Sequence, residues 1–301
     1  MSKHVSVLLQ EAIDNLDLQE GEIFVDGTLG GGGHSALVAE RFGDDVEIIG
    51  LDRDPEALKR SEERLRTLSS SIYFRKASFK DIDQVLSSLG IVSVDAILFD
   101  LGISTDQLEA EGRGFSFQRD EPLDMTMSGE DSDFTAQTIL NTFDEKALEL
   151  IIRGFGEEKF AWRIAKEIVK RRETKPFETT FDLVEAVRAA TPPAYHRGKL
   201  HPATRTFQAL RIAANAELTA LEEGLQKGFE ALSAGGRFTI ISFHSLEDRI
   251  VKQFFRDKVQ EGSAKAITKK PITPSEEEVD ENPRSRSAKL RVIEKLDKKE
   301  D

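Results

Sequence analysis

Three aspartates each close a short apolar run: Asp26 in IFVDGTLGGGG, Asp52 in VEIIGLD and Asp100 in VDAILFDLGIS. The first stands just before four consecutive glycines, Gly30 to Gly33. Glycine lets backbone N–H groups come close to a ligand, and the turn after a first strand is where open α/β sheets hold cofactors. Gly31-x-Gly33-x-x-Ala36 also fits a loose dinucleotide fingerprint, so a nicotinamide cofactor has to be weighed. Asp26 separates the candidates. Its carboxylate would repel a pyrophosphate, whereas S-adenosylmethionine brings an ammonium and a sulfonium, both cationic. Asp52 follows Gly33 by nineteen residues and is placed to accept both hydroxyls of an adenosine ribose, which either cofactor presents. Phe79, after the run SIYFRK, can flank the adenine ring or sit in the core. Acid, glycine loop and acid in this order favour S-adenosylmethionine. Asp100 ends a fourth run, where the chemistry of such sheets collects. There its oxygens can hold an exocyclic amine so that a nitrogen lone pair points at a methyl carbon. Amine methyltransferases acting on bases often combine an acid or amide with prolines at this point, and DLGIS meets only half of that pattern.

These residues need strands to carry them. EIFVDG, VEIIGLD, SIYFRK, VDAILFDLG and GRFTIISF are apolar, β-prone and bounded by glycine or acids. Between them PEALKRSEERLRTL places Leu58, Leu65 and Leu68 at helical spacing. Alternating strands and helices predict an α/β, Rossmann-like, mostly parallel sheet with helices on both faces. From about residue 105 to 205 the pattern is helical only; EEKFAWRIAKEIVKRR carries Phe160, Ile164 and Ile168 on one face. The expected organisation is a methyltransferase-type domain of residues 1–104 and 206–301, interrupted by an all-helical insert of residues 105–205. A long helix from Ala203 to Leu232 is expected to lead back to the sheet, and SRSAKLRVIEKL to return a last strand before a frayed tail.

Composition bounds the function. With 39% hydrophobic and 32% charged residues the chain reads as a soluble globular protein. No apolar run approaches the ~20 residues of a membrane helix, and no basic-then-apolar leader opens the sequence, so a cytoplasmic protein is expected. The absence of cysteine removes disulfides, zinc–thiolate sites and thiol nucleophiles. No metal-ligand cluster is visible, and methyl transfer to nitrogen needs none. A net charge of −13 argues against indiscriminate coating of nucleic acid. Yet residues 153–211 hold thirteen Lys and Arg against seven Asp and Glu, a basic island suited to selective contact with a polyanion.

GTLGGGGHS, DLGIS, RGFSF, PLDM, HPATRTFQALRI, SFHSLEDR and NPRSRSAKLR follow one another over nearly the whole chain. In this order the sequence resembles the ribosomal RNA small subunit methyltransferase H family. The resemblance implies a two-domain enzyme that moves a methyl group from S-adenosylmethionine to N4 of a cytidine in the decoding region of small-subunit ribosomal RNA. It implies cofactor contacts at Gly32, Gly33 and His34, at Asp52 for the ribose, at Phe79 near the adenine, and at Asp100 and Gln107 on the far side. Thr105-Asp106 departs from the family's usual Ser-Pro, Thr126 from an arginine, and Ala216 from an acid.

In the mechanism this reading suggests, Asp100 is the main acceptor for the amine. The target base must be turned out of an RNA structure to reach it. His244, just after GRFTIISF, is placed to accept a proton, to orient the base or simply to hold its loop. Glu247 and Arg249 are expected to tie the two domains together. Arg113, Arg205 and Asn215 are candidates for RNA or interdomain contacts. The acidic bulk favours an assembled or nearly assembled small subunit over bare RNA, and a homodimer is among the assemblies allowed. Three rivals remain: a nicotinamide oxidoreductase, a non-catalytic assembly factor, and a methyltransferase with a protein or small-molecule acceptor.

Overall fold

The computed structural model describes residues 6–68, 71–103, 108, 111–128 and 134–297. The chain divides into two compact units, one of residues 1–102 and 218–301, the other of residues 103–217. The first holds seven strands: β1 (Ile23–Asp26), β2 (Glu47–Asp52), β3 (Ile72–Lys76), β4 (Val94–Asp100), β5 (Leu232–Ser242), β6 (Ala264–Ala266) and β7 (Lys289–Lys295). Their order in the sheet is β3-β2-β1-β4-β5-β7-β6. The first five are parallel, and β7 pairs antiparallel with β5 and β6. The expected Rossmann-like sheet is therefore present, with β6 added to it. Chain order reverses beside β1, between β1 and β4, which sets a ligand crevice at their carboxyl ends.

Strand alternation builds a core on each face. Val25, Ile49, Leu51, Ile97 and Phe99 pack on one side of the sheet. Phe24, Ile48, Leu98 and Ile241 pack on the other, with Val38 and Ala39 of the Gly33–Phe42 helix. Continuous burial on both faces is why these strands read as unbroken apolar runs.

The second unit is helical. Its main helices are Ala136–Thr142, Glu145–Gly156, Ala161–Arg172, Thr180–Ala190 and Thr204–Asn215. Ile152, Ile164, Ile168, Leu183, Val187, Phe207 and Leu210 share one buried cluster. Phe207 and Leu210 explain why this unit runs on to Glu217, beyond residue 206, where the sequence suggested a return to the sheet. The single helix expected from Ala203 to Leu232 is two, Thr204–Asn215 and Glu217–Ala231. Ala216 between them is left-handed, at φ 48° and ψ 39°. Among the described residues no helix is long and apolar enough to cross a membrane.

Candidate cofactor and catalytic site

The register of the sheet assembles the acids. Asp26 lies opposite Gly50 on β2 and opposite Leu98 on β4. Asp52 and Asp100 therefore each stand two residues further along, roughly 6–7 Å at the rise of a strand. All three share one pleat parity. Asp26 forms a floor, and the other two rise on either side.

Asp26 is 1% exposed. Its Oδ2 accepts from Ser35 Oγ at 2.7 Å and its Oδ1 from the Thr28 amide at 3.2 Å. Burial still pushes its pKa up to about 6, helped by the charge of Asp52. Asp52 accepts from the Gly30 amide and the Asp54 amide, each at 2.8 Å, and burial raises it too. The glycine loop is thus tied to the second acid by its own backbone. Gly30 and Gly32 take the left-handed φ values 52° and 70°. At Gly33 any side chain would run into Ser6 Oγ.

Asp100 is the least satisfied of the three. Its side chain keeps 23% exposure, while Oδ1 is enclosed and has no hydrogen-bond partner among the described residues. Burial raises its pKa well above the usual carboxylate range, and the charges of Asp26 and Glu247 raise it further. Its Oδ2 lies 3.9 Å from His34 Nδ1, and His34 Nε2 lies 3.2 Å from the Val7 carbonyl. His34 is buried, so it links the N-terminal segment to the acid cluster.

Glu247 adds its charge to this cluster. It accepts from the Phe243 and His244 amides at 2.8 and 3.2 Å. His244 caps the Ser245–Gln260 helix in return, its Nδ1 accepting from the Glu247 amide, and its Nε2 lies 3.1 Å from Glu247 Oε1. The His244-x-x-Glu247 spacing is a capping box with histidine in place of Ser or Thr, and that signal was legible. Ser35 and Thr28 carried no comparable signal.

Phe79 begins a short turn after β3 and is half-buried. Its ring lies 4.7 Å from that of Phe99, and both press on Gly27 and Gly224, where a side chain would collide with them. Phe79 is therefore packed into the core on one side and only partly covered.

The candidates in the helical unit are engaged with protein groups. Arg113 donates to the Thr126 and Met127 carbonyls at 2.8 and 3.0 Å. Asn215 donates to the Met125 and Arg211 carbonyls and accepts from the Met127 amide. Together they hold the 125–127 turn, where Met125 is left-handed at φ 57°. Thr126 turns its hydroxyl inward to Asp124 at 2.7 Å. Arg205 donates to the Glu157 carbonyl at 2.8 Å. Gln107 lies outside the described residues, as do Thr105 and Asp106.

An edge lined with buried acids, one carrying an oxygen with no partner, suits a cationic ligand and opposes a phosphate. The family comparison agrees, since the model of the MraW methylase family matches residues 1–296. This chain belongs to the MraW methylase family. The methylase is 52% identical over 292 residues to the ribosomal RNA small subunit methyltransferase H of Sulfurihydrogenibium sp. (strain YO3AOP1), covering 97% of this chain and 99% of that one. It is 47% identical over 296 residues to the protein of that name from Persephonella marina (strain DSM 14350 / EX-H1), covering 98% and 100%. S-adenosylmethionine is the cofactor of this MraW-family methylase, and a carboxylate oxygen without a partner suits a cationic ligand.

Proposed function

We propose that this protein transfers the methyl group of S-adenosylmethionine to the exocyclic N4 of a cytidine in the decoding region of small-subunit ribosomal RNA. The observation that carries the methyl-transfer chemistry is Asp100: a carboxylate at the end of β4 with one enclosed oxygen lacking a partner. The identity of the acceptor rests on the relatives, which are named for small-subunit ribosomal RNA. The choice of cytidine N4 and of the decoding region rests on the motif resemblance.

When bound, S-adenosylmethionine supplies an electrophilic methyl carbon. Asp26 and the loop at Gly32, Gly33 and His34 hold the methionine end, with the acid of Asp26 balancing positive charge. Asp52 accepts the ribose hydroxyls, and Phe79 flanks the adenine. Gln107 is assigned to the same site. A cation beside Asp100 favours its ionised form and so reverses the rise that burial causes. The carboxylate then accepts N–H from the exocyclic amine, whose lone pair is otherwise drawn into the ring. Holding that nitrogen in line removes much of the barrier, as positioning does in general. His244 serves first by fixing the loop after β5. Through Nε2 it is also the candidate to orient the base, beside Glu247. Arg113 and Asn215 shape the 125–127 turn, and Arg205 stands beside the basic surface described below. The substrate is an assembled or nearly assembled subunit in the cytoplasm, because a net charge of −13 disfavours indiscriminate binding of RNA and leaves capture to a local basic surface on a shaped target.

Mass mapping of modified nucleosides tests this. Ribosomal RNA from cells lacking the protein should lose one N4-methylated cytidine, and purified protein should restore it on isolated subunits. An unchanged modification pattern sinks the proposal.

A further inference from the structure

Cations in the helical unit fall into two kinds. Arg171 lies 2.8 Å from Glu167 and 3.4 Å from Glu185; Arg153 and Lys146 both reach Glu149; Lys175 reaches Asp182. Lys159, Arg163, Lys166 and Lys170 have no carboxylate within ion-pair reach among the described residues, and all four are exposed. Arg163, Lys166 and Lys170 recur at three- and four-residue steps along the Ala161–Arg172 helix, so they share one stripe, with Lys159 just before the helix starts.

Aromatic rings lie along the same stripe. Lys166 Nζ sits 5.3 Å from the centre of the Trp162 ring, and Arg163 sits 5.9 Å from that of Phe160. Lys159 lies 5.0 Å from Phe160 and 5.3 Å from Tyr195. The Tyr195 hydroxyl donates to Glu158, which is 1% exposed, so this aromatic group is anchored from below. Trp162 is the only tryptophan in the chain and is 49% exposed. An indole left in solvent beside unpaired cations is an arrangement that single-stranded nucleic acid uses fully: bases stack and phosphates pair. An acidic peptide would answer the charges and leave the indole idle.

We propose that the stripe of Lys159, Trp162, Arg163, Lys166 and Lys170 is a docking surface for unpaired RNA, with phosphates on the cations and a base on Trp162. This deepens the function proposed above and rests on it for the identity of the RNA.

Trp162 supplies its own probe. Titration of the full-length protein with a single-stranded oligoribonucleotide of mixed sequence should quench its emission, and polyglutamate should not. The salt dependence of that binding should weaken by about 0.7 in log–log slope for each phosphate contact removed when the R163E/K166E double variant is compared with the wild type. With small subunits as substrate, R163E/K166E should raise KM roughly tenfold and leave kcat unchanged. Trp162→Ala should raise KM by roughly tenfold, and Trp162→Phe should restore most of the loss. Unchanged melting temperature and S-adenosylhomocysteine affinity would show that the variants are folded. Equal quenching by polyglutamate overturns the proposal. A response to RNA-free ribosomal proteins with none to RNA overturns it in favour of a protein partner. Wild-type protein that methylates no small-subunit RNA defeats the proposed function instead. Methylation with identical KM in wild type and R163E/K166E defeats only the surface.

Discussion

At the carboxyl edge of the sheet, Asp26 is an acid withdrawn from water and Asp100 one partly withdrawn, with no lysine or arginine in ion-pair reach among the described residues. On the Ala161–Arg172 helix, Lys166 and Lys170 are charged groups left in water with no acid in reach among the described residues. Both regions hold unmatched charge, but at very different energetic cost. A buried acid without a cation raises its own pKa, which stores a preference for positive charge inside a shaped site. An exposed lysine is hydrated and stores almost nothing; it attracts over distance and is screened by salt. The first arrangement gives selectivity for a small cationic ligand. The second gives capture of an extended polyanion. A protein that must bring the two together needs both.

The sharpest way to break this contrast is at its acidic end. Asp100→Ala should lower methyl transfer on the order of a thousandfold, comparable to removing one preorganised polar group at a reacting centre. The melting temperature at neutral pH should stay level or rise, because burial disfavours the ionised side chain that is removed. Full activity in this variant, measured by tritium transfer to small subunits, would remove Asp100 from the mechanism.

A stability effect should come next, in the helical unit. Asn215→Ala deletes two donors and one acceptor that hold Met125, Met127 and Arg211, at a residue only 5% exposed. The loss should be roughly 2–3 kcal/mol by thermal or urea unfolding, with S-adenosylhomocysteine affinity unchanged. A matching loss of cofactor affinity would mean that Asn215 does more than hold the turn.

Asn215 also marks where sequence reading stopped. The three aspartates were legible because parallel strands buried on both faces print as apolar runs with a sharp polar end. Ala216 printed as helix, since alanine is the best helix former. The structure breaks the chain there because Asn215 reaches backbone about 90 residues away in sequence, a contact no local window contains. The glycine run was read as room for a ligand, but Gly27 faces Phe99 and Gly33 faces Ser6, so part of the demand for bare backbone comes from the protein itself. Asn215 and Arg113 stood as candidates for RNA or interdomain contacts because a polar or charged side chain shows no partner in the sequence itself. Their partners are carbonyls and amides, which a sequence does not distinguish.

A smaller effect follows from the acids' titration. Asp26 moves from 3.8 when unperturbed to about 6 in the ligand-free fold. A carboxyl raised in this way favours the fold at pH below about 4, and that contribution is lost as the pH climbs through about 6. A cationic ligand reverses the preference, since it favours the ionised form. Affinity for S-adenosylmethionine should therefore rise by roughly fourfold between about pH 5.5 and 7.5 for one linked proton, with proton release seen by calorimetry in two buffers. S-adenosylhomocysteine lacks the sulfonium charge and should show a weaker rise. Equal pH dependence for both ligands would mean that the acids do not sense the sulfonium.

The smallest effect belongs to a paired cation and tests the other half of the contrast. Arg171 lies on the same helix as Lys166, but its guanidinium is shared between Glu167 and Glu185. Arg171→Gln removes one positive charge from the basic unit, as Lys166→Gln would. If net charge alone captured RNA, the two changes would weaken binding equally. If unmatched charge beside an aromatic ring is what counts, Lys166→Gln should reduce RNA affinity several-fold and Arg171→Gln should leave it nearly unchanged. The stability change for Arg171→Gln should be at most about 0.5 kcal/mol, as for other i,i+4 helix pairs near the surface. Titration of both variants with the same oligoribonucleotide at low and moderate salt separates the two accounts, because an effect of overall field fades with salt for both residues alike, whereas a stacked and paired contact at Lys166 keeps a difference between them.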